Sequence, residues 1–234
     1  MCTITFIPKS KHAYLLTHNR DEEAKREKSI EPRKSQIAGR KVLMPVDGRS
    51  KGTWIAVNSA GETYCIMNGA FEKHKPDPPY KHSRGLIIPK SMEEKSLEDY
   101  YHLTDFEGLE PFTLFRFGAS VLEKIVWDGK LKYYGKLDPG VSHLFTSATL
   151  YNEKVGKKRK ELFQDFLEKR RSVSSQEIIQ LHAQKDQPEE YRNFYLQTDQ
   201  GIQTISITHV AVSSKSIRMI YLDTLKNNRA EAEL

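Results

Sequence analysis

Apolar and polar positions alternate with period two over much of this chain, and helical spacing is confined to a few stretches. Residues 3–7 are β-rich, residues 8–11 are turn-like and residues 12–17 form a second apolar run, so the chain opens on a β-hairpin. Residues 53–57 and 62–67 form another strand pair, joined through Asn58-Ser59-Ala60-Gly61. Residues 111–117, 120–127 and 130–135 read as three consecutive strands, expected in the middle of a sheet, with Asp128-Gly129 as the tight turn between the last two. Residues 141–146, 194–197, 202–212 and 217–222 add further strands. Val155, Leu162, Phe163, Phe166 and Leu167 fall at helical spacing and predict an amphipathic helix over 153–171. A second follows over 174–184, with Ser174 or Ser175 as cap and Glu177 near the first turn. A shorter helix over 96–103 has Ser96 as its cap, and the apolar stretch after Ser83-Arg84-Gly85 is expected to be helical until Pro89.

The polar stretches read as connections. Residues 23–40 are highly charged, with few apolar positions, and read as an exposed loop or short helix. Residues 44–52 form a turn-rich approach to the next strand. Three prolines within residues 71–82 exclude a helix or a central strand, leaving a surface loop near Asn68 that is a candidate lid or pocket rim. Residues 186–191 are loop-like, and the polar residues from 226 onward are expected to fray. Helices concentrated between two sets of strands suit an α+β fold of the layered αββα sandwich kind, although order alone also allows a plain α+β domain. At 234 residues the chain is expected to form one domain.

The opening hairpin also carries the candidate chemistry. A hairpin returns the chain to its start, so it sets Asn19-Arg20-Asp21-Glu22 beside Cys2. If Met1 is removed, Cys2 holds both a thiol, with a reference pKa of about 8.5, and a free α-amine, at about 7.7–8.0. One residue then supplies nucleophile and base. Arg20 beside the sulfur would favour thiolate, and Asp21 could hold the amine by a charge-assisted hydrogen bond. The plainer alternative is a packed thiol followed by a charged loop. Asn68-Gly69 at a strand end is either a turn or the place of an oxyanion donor. Arg84 could pair with a substrate carboxylate, an ordinary surface ion pair being the default. His74 and His82 have no ligand-spaced partner, so no metal is expected.

Met-Cys-Thr at the start and Asn-Arg-Asp-Glu after the second strand resemble the NRDE family, the transport-and-Golgi-organisation-type proteins. Gly52-Thr53-Trp54, Met67-Asn68, Ser83-Arg84-Gly85-Leu86, the segment 147–163 and the C-terminal strand pair match in the same order. That family is similar in turn to the choloylglycine hydrolase and penicillin V acylase group, cysteine N-terminal nucleophile hydrolases with an αββα sandwich. The resemblance implies Cys2 as nucleophile, Asp21 as the acid on the terminal amine and Asn68 at the oxyanion, with Arg20 tuning the thiolate. Those hydrolases carry an Arg three places before the acid; here His18 stands there, and the Arg is Arg20. A further hydrolase Asn falls near Ser147, with Asn152 close by, and a late hydrolase Arg has no counterpart. Substrate contacts are expected from Asn19, Trp54, Phe71 and Ser147. The activity implied is cleavage of a small non-peptide amide or acyl derivative without a cofactor. The alternative is a binding protein for lipid, acyl or haem-like ligands on the same scaffold.

Composition narrows this only a little. Two cysteines make no disulfide framework, and Cys65 lies in an apolar run as a packed thiol. No signal-peptide pattern or membrane-length apolar run is present, so a cytoplasmic protein is expected. The formal charge is +6, but Lys and Arg are scattered among acids, so a small molecule rather than nucleic acid is the expected partner.

Overall fold

The opening hairpin forms as its pattern requires. In the computed structural model, which describes residues 2–147, 153–185 and 193–234, β1 (Cys2–Ser10) pairs antiparallel with β2 (Ala13–Glu23). The hairpin lies inside a six-stranded sheet. β10 (His143–Thr146) flanks β1, while β11 (Ile202–Val212), β12 (Ile217–Asp223) and β13 (Asn228–Glu233) follow β2 in order. The second sheet is a meander in chain order. It runs through β3 (Ile30–Ile37), β4 (Arg40–Val46), β5 (Ile55–Asn58), β6 (Thr63–Asn68), β7 (Phe112–Phe117), β8 (Leu122–Trp127) and β9 (Lys132–Lys136).

Side-chain alternation divides each strand between two environments. Cys2, Ile4 and Phe6 of β1 join Tyr14 and Leu16 of β2 in the core between the sheets, where Phe6 stacks on Phe117 of β7. Ile7 and Leu15 face the other way, into a cluster with Phe163 and Phe166 of α3 (Glu153–Glu168) and Ile178 and Leu181 of α4 (Ser175–Ala183). On the far side, α1 (Ile87–Glu93) packs against β6, and α2 (Leu97–Leu103) against β8 and β9. The result is a helix, sheet, sheet, helix sandwich. Among the described residues no helix is long and apolar enough to cross a membrane.

Several expectations change. Residues 30–37 are not a loop or helix but the edge strand β3, paired with β4 and bulged between Ile30 and Arg33 around Pro32. Its side chains are mostly exposed, so no apolar face marks it in the sequence. The last residues do not fray: β13 pairs with β12, and Ala230 and Ala232 rest on the core. β7 to β9 occupy one end of their sheet rather than its middle, with β9 at the edge. Pro89 does not stop α1; it sits in the first turn, where an N–H has no intrahelical partner. Residues 194–197 contribute one isolated bridge, Gln197 to Gln203. The loop expected at 186–191 and the candidate Asn152 lie outside the described residues.

Candidate functional site

The site is built at the end of the opening hairpin. Strand pairing places Cys2 directly opposite Arg20, and both are almost fully buried. The Arg20 guanidinium lies 4.0 Å from the centre of the Trp54 ring. Its Nη1 donates to Ser29 Oγ at 2.7 Å, and its Nη2 makes a close ion pair with Asp47 Oδ2. Asp47 opens the turn after β4. Its N–H donates to Gly52 O at 2.8 Å, and its Oδ1 accepts from the Ser50 N–H at 2.7 Å. Arg26 completes the clamp, with Nε on Asp47 Oδ2 at 2.8 Å and Nη2 on Oδ1 at 3.1 Å. One carboxylate thus ties β2, the segment after it and the 47–52 turn together.

A second loop is seated on that turn backbone to backbone. A Cβ added at Gly52 would lie 2.3 Å from the Gly85 carbonyl carbon, and Thr53 N donates to Gly85 O at 2.9 Å. Only glycine permits this approach, and it brings Arg84 to the same corner. Arg84 Nη2 pairs with Glu110 Oε2 at 2.9 Å, and Nη1 donates to Pro111 O at 3.1 Å.

These elements enclose a cleft of about 100 Å³, lined among others by Cys2, Arg20, Arg26, Trp54, Asn68 and Arg84. Burial pushes the Cys2 thiol pKa up; the Asp21 charge also raises it, while the Arg20 charge opposes the rise. Burial acts against ionised Asp47, but the Arg26 hydrogen bond, the Ser50 N–H and the Arg20 charge outweigh it, and its carboxyl stays well below the usual range. Burial likewise lowers the Arg84 pKa, against the pull of Glu110.

Of the expected site residues, Cys2, Arg20, Trp54 and Asn68 meet at this cleft. Asp21 follows Arg20 on β2, and its Oδ1 accepts from Thr204 Oγ1 at 2.6 Å. Ser147 links the two sheets: its N–H donates to Cys2 O at 3.1 Å and its Oγ to Asn68 O at 2.6 Å. Asn19 leaves the cleft. Alternation turns it toward α4, where its Nδ2 donates to the carbonyls of His182 and Phe194 at 2.9 and 3.0 Å and its Oδ1 lies 2.7 Å from His182 Nδ1. Phe71 also falls outside; it is 59% exposed, sits edge-on to Tyr133, and borders a separate groove with Met67, Phe115 and Ser147. His18 shares the inter-sheet face with Cys2, and neither of its ring nitrogens has a hydrogen-bond partner among the described residues. His74 turns to Glu110 at 3.3 Å. Glu22, expected beside Cys2, lines the cleft; reading the sequence did not find Asp47 or Arg26 there, and the Asp47-Gly48 turn was the nearest signal.

The fold is an N-terminal nucleophile hydrolase-like αββα sandwich. Penicillin V acylase from Agrobacterium tumefaciens is similar with a TM-score of 0.60 at 10% identity, over 100% of this chain and 86% of its own. A variant of conjugated bile acid hydrolase from Clostridium perfringens gives 0.61 at 9% identity, over 99% and 92%. The Caenorhabditis elegans orthologue of N-acylethanolamine-hydrolyzing acid amidase gives 0.58 at 12% identity, over 89% and 92%. At such identities the likeness is one of fold. The chain itself belongs to the Transport and Golgi organisation 2 family, whose model matches residues 1–223. No curated protein matches it in sequence.

Proposed function

We propose that this chain, as one domain, is a cysteine N-terminal nucleophile amidohydrolase acting on a small non-peptide amide or acyl derivative. The observation that carries the reading is Cys2 facing Arg20 across paired strands, in a cleft that Asn68 also lines. The reaction requires removal of Met1. The freed α-amine of Cys2 then takes the thiol proton, and the sulfur attacks the acyl carbonyl. Asn68 and a backbone N–H hold the resulting oxyanion. Collapse breaks the C–N bond, and the α-ammonium returns its proton to the departing amine. The same α-amine next takes a proton from water, whose oxygen attacks the thioester and releases the acid. Asp21 orients the amine, Arg20 steadies the thiolate, and Trp54 forms an apolar wall.

Intact-mass measurement of the native protein is expected to show a chain beginning at Cys2. Incubation with a panel of amides is expected to add an acyl mass at Cys2 that Cys2→Ala abolishes. An N-terminus retaining Met1, or no adduct with any amide, sinks the enzyme reading. The second reading, a binding protein on the same scaffold, is favoured by the burial that raises the Cys2 thiol pKa and by His18 at the position of the hydrolases' Arg. It predicts alkylation of Cys2 with the pH profile of an unactivated thiol.

A further inference from the structure

Three guanidiniums and two carboxylates line the Cys2 cleft. Arg20 is held on Asp47 and Ser29 and lies over the Trp54 ring. Arg26 is held on Asp47 through two nitrogens and on Glu22 at 3.2 Å. Both carboxylates of the wall are therefore engaged by these two arginines. Arg84 pairs instead with Glu110, which does not line the cleft and shares its carboxylate with His74; the Glu22 charge also acts on Arg84. The Arg84 side chain is 17% exposed and lines the cleft. The cleft wall thus carries one more guanidinium than carboxylate, and a cation excess in a recess partly shielded from water attracts anions.

We infer that Arg84 is the anion-receiving residue of this cleft, and that the molecule reacting at Cys2 carries a negative charge. This rests on Cys2 being the reacting group, as proposed above. Glu110 and the Pro111 carbonyl fix the fork of Arg84, and the glycine-on-glycine seat at Gly52 and Gly85 fixes its backbone. The receiving group is thus preorganised, which lowers the cost of ordering it on binding. A carboxylate or phosphate would suit the guanidinium equally.

Two alkylating reagents of similar size separate charge from thiol reactivity. Iodoacetate is anionic and iodoacetamide neutral, and the same thiolate displaces iodide from both, so the ratio of their rates at Cys2 cancels any change in thiol pKa. Rates are read per cysteine by peptide mass spectrometry, with buried Cys65 resolved separately. The wild-type ratio at Cys2 is expected to exceed that of free cysteine. Arg84→Met is expected to lower it by roughly threefold or more. Glu110→Gln, which leaves Arg84 less neutralised, is expected to raise it and serves if the first variant does not fold. A ratio that Arg84→Met leaves at the wild-type value, or that Glu110→Gln lowers, overturns the assignment. Failure to form an acyl adduct would instead remove the hydrolase while leaving this ratio standing, so the two ideas fail separately.

Discussion

Asp47 shows what a single residue does that its neighbours in sequence do not announce. It accepts from two arginines and a backbone N–H while almost fully buried, so its charge is compensated on three sides. Asp47→Asn would leave Arg20 in a buried setting against an amide, and losing one partner of such a pair costs about 3 kcal/mol. A urea titration is expected to show that loss as a lower midpoint. Because the folded-state carboxyl is held below the ordinary range, the contribution is complete above the unfolded pKa and is lost only as pH falls through the lower folded value. At the same scale, Cys2 should alkylate well before Cys65, which lies wholly within the core; equal rates in the native protein would contradict the placement of Cys2 on a cleft. The approach of Arg20 to the thiol was legible because a hairpin is local and its register follows from a short turn; Asn19 was misplaced because alternation turns it to the opposite face. Asp47 was not legible, because its partners lie 27 and 21 positions away and nothing in its own segment names them.

Among whole elements, legibility followed the apolar face. α4 was readable to its cap: Ser174 and Glu177 form the reciprocal capping pair, with Ser174 N donating to Glu177 Oε2 at 2.9 Å. Ser174→Ala is expected to destabilise the protein by about 1 kcal/mol in a denaturant titration, through the lost cap. β3 and β13 failed the same reading for a shared reason. Each is an edge strand with one apposed neighbour, and the inward positions of β13 are alanines, which favour strand only weakly. Yet β13 covers the outer edge of β12, whose Met219 and Tyr221 belong to the core between the sheets. Removing residues 228–234 is expected to lower the melting temperature by several degrees and to promote aggregation through the uncovered edge. A truncated chain as stable and soluble as the full one would mean that β13 is only an appendage.

The molecule as a whole buries polarity on both faces of the six-stranded sheet, and that choice has an acid consequence. His18 lies in the inter-sheet core, while His182 and His209 belong to the helix-facing side, where His182 meets Asn19 and Thr5 and His209 meets Thr17. Burial lowers the pKa of His18 to about 3 and of His209 to about 4, and drives His182 well below the ordinary value. Neighbouring positive charge adds to this, from Arg20 on His18 and from Arg218 on His209. An unfolded histidine titrates near 6.5, so between about pH 6.5 and 4 the unfolded chain binds protons that the native one refuses. Stability is therefore complete above about 6.5 and falls as pH drops through that window. His209 alone accounts for about 3 kcal/mol by the time pH reaches its folded value. Melting temperatures measured from pH 7.5 to 4.5 are expected to fall steadily, and His209→Gln is expected to flatten the slope even if it lowers the neutral-pH value. A flat profile in the wild-type protein would mean that these imidazoles reach water or a counter-charge in the folded state.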